Sequence, residues 1–114
     1  KTTVYHLAKE INTHRLIIPL STIEKPPSAE LRPDQKDSDS LPEYDLLDPL
    51  IDAIVEQNKG KKELINEGFD AQVVDHIWRL VKRNEYKRSQ LPIGIKISRK
   101  SFGSGRRFPL ACRY

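Results

Sequence analysis

The sequence predicts a mainly α-helical fold with about four helices, one long irregular loop and at most a short strand. Three observations lead to this prediction. Apolar residues recur at helical spacing in several segments. Between residues 19 and 44 that periodicity disappears, and proline and charged residues dominate. The alternation typical of a strand is confined to short stretches, so a sheet built from this chain alone is not expected.

Residues 1–18 are predicted to form a helix followed by a short strand. The run Leu16-Ile17-Ile18, which Pro19 ends, favours a brief buried strand. A helix and a strand make half of an α/β unit, which needs a parallel sheet that the rest of the chain does not offer. Because the chain also opens at Lys1 directly into a helical pattern, we expect a piece of a longer protein. The apolar face of the helix consists of Val4, Leu7, Ala8 and Ile11.

Residues 19–44 are predicted to form a lid-like loop that is at least partly mobile. From Glu24 to Asp52 the chain carries nine acidic residues and three basic ones. A plain linker would be richer in glycine and serine, so we favour a functional loop, with a disordered linker as the alternative.

Residues 45–84 are predicted to be helical. The first helix of this part is expected to be capped by Asp45 or Asp48, with Pro49 in its first turn. A short helix over residues 61–67 is expected to end at Gly68. The apolar face of the first helix is predicted to consist of Leu47, Leu50, Ile51, Ile54 and Val55.

The last long helix of this part is predicted to start after Asp70, a favourable N-cap residue. Trp78 has the spacing of a core residue, and we prefer that interpretation to a base-stacking platform. The buried face is predicted to comprise Val73, Val74, Ile77, Trp78 and Val81.

Residues 85–114 are predicted to form a basic, irregular tail. From Arg79 onward the chain carries eleven basic residues and one acidic residue. Such an end is typical of an anion-binding surface, and a solvated tail that balances acidic surface elsewhere is an equal alternative. Ile93, Ile95 and Ile97 alternate with other residues and give a weak strand signal. The segment Gly103-Ser104-Gly105 is interpreted as a surface turn.

Several classes of protein are disfavoured. No apolar run approaches the roughly 20 residues that span a membrane. Cys112 is the single cysteine, which favours a reducing, cytoplasmic setting. His6, His14 and His76 lack metal-ligand spacing, so no metal site is predicted. No nucleophile–base pair is evident either, and we predict no catalytic residue in this chain.

Two motifs carry a resemblance to a known family. The segment 25–35, KPPSAELRPDQ, resembles the mobile loop of the NAD synthetases, and the segment 84–88, NEYKR, resembles their C-terminal lysine motif. The tail over 94–109 is similar to the glutamine-dependent form, and the opening over 1–5 fits the helix before the loop. The chain is thereby identified as the C-terminal part of the synthetase domain. That domain has an α/β doubly wound, adenine-nucleotide-hydrolase-like fold.

The resemblance implies an ATP-dependent ligase. ATP adenylates the carboxylate of deamido-NAD, and ammonia released from glutamine attacks the acyl-adenylate to give NAD, AMP and pyrophosphate. The implied partners are the remainder of the synthetase domain, a nitrilase-like domain that makes the ammonia, and further copies in a homo-oligomer. ATP and Mg²⁺ serve the full enzyme, and neither is expected on this fragment. The pyrophosphate-binding Ser-Gly-Gly-x-Asp-Ser motif of the family is missing, so we predict that the chain alone is inactive.

The resemblance also assigns binding residues. Lys1 corresponds to an ATP-binding lysine, and Ser28 to an ATP-binding hydroxyl residue that is commonly threonine. Lys87 corresponds to the lysine that contacts deamido-NAD, and Tyr86 occupies the place often held by histidine. The serine and the tyrosine depart from the shorter ammonia-dependent enzymes.

Two other classes of function compete with this interpretation. The basic end could belong to a small helical nucleic-acid-binding protein. Alternatively, the chain could be a protein-interaction module whose proline-rich loop is a ligand segment. The acidic loop and the short Pro26-Pro27 pair argue against both, and we expect neither a nucleic-acid nor a membrane partner.

Overall fold

The computed structural model describes residues 1–92, 94–100, 103 and 105–110. Across these residues the chain is helical, and none of them lies in a strand, which confirms the mainly α prediction. A 3-10 turn, Asp37–Asp39, lies between the second and third helices. The helices are α1 (Thr2–Ile11), α2 (Leu20–Glu24), α3 (Tyr44–Val55), α4 (Lys61–Asn66), α5 (Ala71–Arg83) and α6 (Glu85–Ser89).

The chain divides into two compact units, Lys1–Asp48 and Pro49–Tyr114. In the first unit, α1 forms where the helical spacing predicts it. Its predicted apolar face is nevertheless exposed, with 63% of Val4 and 59% of Leu7 open to solvent. The helix is amphipathic, and no residue of α1 is buried by the described part of the chain.

The strand predicted at Leu16-Ile17-Ile18 is wrong. The Asn12 carboxamide oxygen accepts hydrogen bonds from the backbone N–H groups of Ile17 and Ile18, at 3.0 and 2.9 Å. The Asn12 amide group also donates to the Ile18 carbonyl at 2.8 Å. A strand needs a neighbouring strand for these backbone groups, whereas here one asparagine side chain satisfies them in a turn.

The loop predicted over residues 19–44 contains more regular structure than expected. Leu20–Glu24 forms α2 directly after Pro19, and Asp37–Asp39 forms the 3-10 turn. Pro19 precedes the first helical turn, where its missing N–H costs no hydrogen bond. Aperiodic sequence therefore hid two short elements, because one or two helical turns are too brief to show a period.

The capping prediction for α3 is wrong. The helix starts at Tyr44, so Asp45 and Asp48 lie inside it and Pro49 is its sixth residue. Pro49 has no N–H to donate to the Asp45 carbonyl, so one hydrogen bond of the helix is missing. Asp48 instead accepts hydrogen bonds from the start of α1.

The second unit has a core made by the end of α3 together with α4 and α5. Two predicted helix signals are confirmed here. The Asp70 carboxylate accepts hydrogen bonds from the Gln72 and Val73 N–H groups, both at 2.9 Å. Gly68 follows α4 with a φ of 99°, a conformation that favours glycine. The buried apolar residues are Leu50, Ala53, Ile54, Val55, Leu64, Val74, Ile77 and Val81.

The first five residues of the predicted irregular tail, Glu85–Ser89, form α6 instead, and the rest of the basic tail follows this helix. The weak strand signal is wrong over the described residues 94–97, where Ile95 and Ile97 are each 93% exposed. Ile93 and Cys112 lie outside the described residues. No helix in the described part of the chain is long and apolar enough to cross a membrane.

Candidate functional site

The four predicted binding residues fall in different units. Lys1 and Ser28 belong to the first unit, whereas Tyr86 and Lys87 belong to the second. Each unit therefore holds two of the four residues.

Lys1 lies at the start of α1, among groups that hold both its backbone and its side chain. Its backbone nitrogen donates to Asp48 Oδ2 at 2.6 Å. Its ammonium nitrogen lies 5.8 Å from the ring centroid of Tyr5 and 6.0 Å from that of Tyr44. A lysine cation at this distance from aromatic rings is attracted by their electron-rich faces. The Lys1 cation therefore lies near the rings of both tyrosines.

The Asp48 carboxylate ties α1 to α3. Besides the Lys1 nitrogen, it accepts hydrogen bonds from the backbone N–H and the hydroxyl of Thr2, at 2.6 and 2.8 Å. Partial burial acts to raise the pKa of Asp48, but the hydrogen bonds and the positive charge of the amino group lower it below its usual value. The ionised carboxylate is thus stabilised next to Lys1.

Tyr44 connects this cluster to the loop. Its hydroxyl donates a short hydrogen bond to Asp37 Oδ2 in the 3-10 turn. Burial, followed by the Asp37 hydrogen bond and charge, raises the pKa of Tyr44 to about 12. Neither Tyr44 nor Tyr5 was predicted as a site residue. Tyr5 stands four residues after Lys1 on the same helix face, a spacing that could have identified it.

Ser28 lies in an open groove of about 840 Å³ formed by the loop over residues 25–36. Its hydroxyl oxygen accepts the Glu30 N–H at 3.1 Å. Lys25 forms an ion pair with Glu30 at 2.6 Å, and this hydrogen bond and charge raise the pKa of Lys25 and lower that of Glu30. Local contacts between its own residues therefore shape the groove, whose lining is both charged and apolar. Its other lining residues are Pro26, Leu31, Arg32, Pro33, Asp34, Gln35 and Lys36.

Tyr86 and Lys87 lie side by side on α6 and both face solvent. Tyr86 is 51% exposed, and the Lys87 ammonium nitrogen lies 6.0 Å from its ring centroid. An exposed cation beside an aromatic ring suits an anionic ligand that also carries a flat heterocycle.

The residues on either side of this pair, Glu85 and Arg88, are charged but buried. Glu85 is 2% and Arg88 5% exposed, and Arg88 Nη1 lies 3.1 Å from Glu85 Oε2. Burial lowers the pKa of Arg88, although the Glu85 charge acts in the opposite direction. The sequence motif was interpreted through its lysine, so this buried pair was missed.

Within the second unit, the tail packs against α5 through a cation and two aromatic rings. The Arg106 guanidinium lies 5.4 Å from the Trp78 ring and 5.1 Å from the Phe108 ring. The two rings meet edge to face, with centroids 5.9 Å apart. Trp78 packs against the tail but is only half-buried, so it is not one of the core residues among which it was predicted.

Among the described residues, no group of three or more His, Cys, Asp or Glu side chains could hold a metal ion.

Comparison with known families gives a match to the NAD synthase model over residues 1–91. This chain belongs to the NAD synthase family. The match includes the loop with Ser28 and the lysine motif with Lys87. The family membership that was predicted from these two motifs is thus confirmed.

Similar members of the NAD synthase family are glutamine-dependent enzymes. The glutamine-dependent NAD(+) synthetase of Acinetobacter baylyi is 51% identical over 112 residues, which are 96% of this chain and 21% of that enzyme. The Synechocystis enzyme of the same name is 47% identical over 97% of this chain and 20% of its own length. The chain thus spans about a fifth of the relatives that it matches.

A solved NAD synthetase structure shares the fold of this chain. It is the glutamine-dependent NAD+ synthetase of Acinetobacter baumannii in complex with adenosine diphosphate. The two structures align with a TM-score of 0.58 and 38% sequence identity, over 96% of this chain and 19% of the solved one. The helices of this chain therefore correspond to a segment of a larger synthetase.

Proposed function

We propose that this chain is part of an ATP-dependent ligase that amidates deamido-NAD to NAD, with ammonia released from glutamine. The observation that carries the proposal is the 51% identity to a glutamine-dependent NAD(+) synthetase over 96% of the chain. The bound adenosine diphosphate in the Acinetobacter baumannii relative supports an adenine-nucleotide site in this family.

In the proposed reaction, a carboxylate oxygen of deamido-NAD attacks the α-phosphorus of ATP, and pyrophosphate leaves. Ammonia then attacks the acyl carbon, AMP leaves, and the nitrogen loses a proton to give the amide. Both substrates are polyanions, so cations in fixed positions lower the cost of bringing them together. This chemistry needs no protein nucleophile.

Lys1 and Ser28 are proposed to bind ATP. The Lys1 ammonium group, held beside Tyr5 and Tyr44, would contribute a positive charge to the phosphates. The Ser28 hydroxyl would donate a hydrogen bond to a phosphate or ribose oxygen. The loop over residues 19–44 is proposed to exclude water, which would otherwise hydrolyse the acyl-adenylate.

Lys87 and Tyr86 are proposed to bind deamido-NAD. The exposed Lys87 ammonium group would pair with the diphosphate, while the Tyr86 ring offers an apolar face to a heterocycle. ATP and Mg²⁺ are proposed to serve the full enzyme, with the Mg²⁺ ligands supplied by the rest of the synthetase domain. A nitrilase-like domain, a homo-oligomeric assembly and a cytoplasmic location belong to the same proposal.

The assignment of Lys87 can be tested in a chimera. This chain replaces the matching segment of the Acinetobacter baylyi enzyme, and amidation of deamido-NAD is measured. We expect Lys87→Ala to raise the KM for deamido-NAD by about tenfold or more, because a charge-assisted contact is lost. Lys62→Ala is the matched control, since it removes the same charge from an exposed position on α4. Equal KM values for the two variants would contradict the assignment.

The isolated chain is proposed to be inactive, because it carries no Ser-Gly-Gly-x-Asp-Ser segment for the pyrophosphate. The purified 114-residue chain is given ATP, Mg²⁺, ammonia and deamido-NAD, and NAD is quantified against the Lys87→Ala chain. We expect equal background in both samples. NAD formation by the unmodified chain above that of the variant would show the proposal to be wrong.

Two of the basic residues that favoured a nucleic-acid-binding protein are engaged within the fold. Arg88 is 5% exposed, and Arg106 is half-buried against Trp78 and Phe108. A nucleic-acid surface requires cations that reach phosphates through solvent. The packing of these two arginines therefore supports the ligase over that rival.

A further inference from the structure

Helix α6 carries the exposed Lys87, yet it has only five residues, Glu85–Ser89. A helix of this length is unstable by itself, because nucleation costs more than so few hydrogen bonds return. Its geometry must therefore be fixed by contacts with other parts of the second unit. The buried residues of α6 are Glu85 and Arg88, which lie on either side of Tyr86 and Lys87.

Arg88 is the link between α6 and the tail. Its Nη1 lies 3.1 Å from Glu85 Oε2 within the helix, and its Nη2 donates a short hydrogen bond to the Arg106 carbonyl oxygen. Burying a guanidinium group is costly, so the ion pair with Glu85 and the hydrogen bond to the Arg106 carbonyl both stabilise Arg88 in this position. The backbone at Arg106 thereby constrains the orientation of α6.

Arg106 is itself held in place by the helical core. Its Nη1 donates a short hydrogen bond to the Ile54 carbonyl at the end of α3, and a longer one, at 3.4 Å, to the Lys59 carbonyl. Its guanidinium group also packs against the Trp78 and Phe108 rings. These contacts connect α3, α5 and the tail at one residue.

We propose that Arg106, which lies beyond the family match over residues 1–91, is a positioning residue for Lys87. The guanidinium group of Arg106 anchors the tail to α3 and α5, and its carbonyl group holds Arg88. Arg88 fixes α6 so that Lys87 and Tyr86 face solvent. The inference rests on the proposed function of Lys87, and it extends the deamido-NAD site to a residue that makes no contact with the ligand.

The structural part of the proposal is tested by amide hydrogen exchange in the 114-residue chain. Arg106→Lys keeps the charge but removes the forked geometry that reaches two carbonyl groups. We expect the α6 amides to exchange about tenfold faster, while the α4 amides keep their rates. Arg107→Ala is the matched control, because Arg107 is the exposed neighbour of Arg106. Arg106→Ala is used only if circular dichroism shows that it folds.

The functional part is tested in the chimeric synthetase. We expect Arg106→Lys to raise the KM for deamido-NAD by roughly threefold to tenfold, with the KM for ATP unchanged, because only the Lys87 helix is displaced. A purely structural defect would instead lower the amount of active enzyme and leave both KM values unchanged. Arg107→Ala is expected to leave both KM values unchanged.

The possible failures can be told apart. If Arg106→Lys leaves the α6 exchange rates equal to those of Arg107→Ala, or leaves the KM for deamido-NAD unchanged, the positioning role of Arg106 is overturned. If Lys87→Ala leaves the KM for deamido-NAD unchanged, the proposed function of Lys87 fails instead, whatever the exchange rates show.

Discussion

The hydroxyl of Tyr44, the first residue of α3, donates a hydrogen bond to the carboxylate of Asp37 in the 3-10 turn of the loop. The same tyrosine ring lies 6.0 Å from the Lys1 ammonium nitrogen. One side chain thus lies between the loop and the proposed ATP-binding lysine, with a hydrogen bond to the first and its ring near the second.

Burial and the hydrogen bond to Asp37 should make the Tyr44 hydroxyl lose its proton at an unusually high pH. Burial and the neighbouring Asp37 raise the pKa of Tyr44 to about 12 from its ordinary 10.0. The unfolded chain therefore ionises this residue first, and the stability that it contributes is lost as pH rises from 10 to about 12. We expect the phenolate absorbance of the folded chain to include a late component that Tyr44→Phe removes. Asp37→Asn should shift that component to lower pH, and a Tyr44 that titrates near 10 would contradict the prediction.

Protonation of Asp48 should lower the stability of the chain at acidic pH. Although burial acts in the opposite direction, its hydrogen bonds to Lys1 and Thr2 lower its pKa below 3.8. The stabilisation is therefore full above pH 3.8 and is lost as pH falls through the lower pKa of the folded state. We expect Asp48→Asn to reduce the free energy of unfolding by about 1–2 kcal/mol at neutral pH.

Urea unfolding at a series of pH values measures this effect. The difference between Asp48→Asn and the unmodified chain should shrink toward zero in strong acid. Asp45→Asn is a suitable control, because Asp45 is an exposed residue on the same helix. A constant difference at all pH values would show that the charge of Asp48 is not its cause.

Removal of the helix cap at Asp70 should lower the stability of the chain. Its carboxylate accepts two backbone hydrogen bonds at the start of α5. We expect Asp70→Ala to lower the free energy of unfolding by about 1 kcal/mol, because these N–H groups lose their acceptor. Asp70→Asn keeps the acceptor and should cost much less. Thermal or urea unfolding of the three chains checks the prediction, and equal losses in both variants would argue against a capping role.

The backbone conformation of Asn58 should make the stability of the chain depend on which residue occupies this position. This residue has a φ of 58°, in the left-handed region that side chains other than those of Asn and Asp rarely adopt. We expect Asn58→Gly to preserve or raise the stability and Asn58→Val to lower it by about 1–2 kcal/mol. The midpoints of urea unfolding compare the two variants. A valine variant as stable as the glycine variant would exclude strain at this position.

The features that the sequence predicted correctly are governed by local rules. The α5 cap at Asp70, the glycine at 68 and the buried α5 residues Val74, Ile77 and Val81 follow from neighbours a few positions apart. The family resemblance depended on motifs of consecutive residues, and such motifs can be identified in a single sequence.

The features that the sequence did not predict depend on partners distant in the chain. Asp48 was expected as a possible cap of α3. Its carboxylate instead accepts hydrogen bonds from Thr2, which lies 46 residues earlier in the chain. Likewise, the carbonyl that Arg88 contacts belongs to Arg106, 18 residues later. Periodicity and turn chemistry contain no information about such pairs. The strand predicted at Leu16-Ile17-Ile18 is wrong for a different, local reason, because the nearby Asn12 side chain satisfies the backbone groups that a strand partner would need.

The apolar face of α1 has a practical consequence for work with the isolated chain. Val4, Leu7 and Ile11 present their side chains to water, and covering them by a second molecule or a dye would release free energy. The chain is therefore expected to enhance the fluorescence of hydrophobic dyes and to self-associate as its concentration rises. Its melting temperature then becomes a function of how much protein is in the cuvette, and variants have to be compared at one dilute concentration.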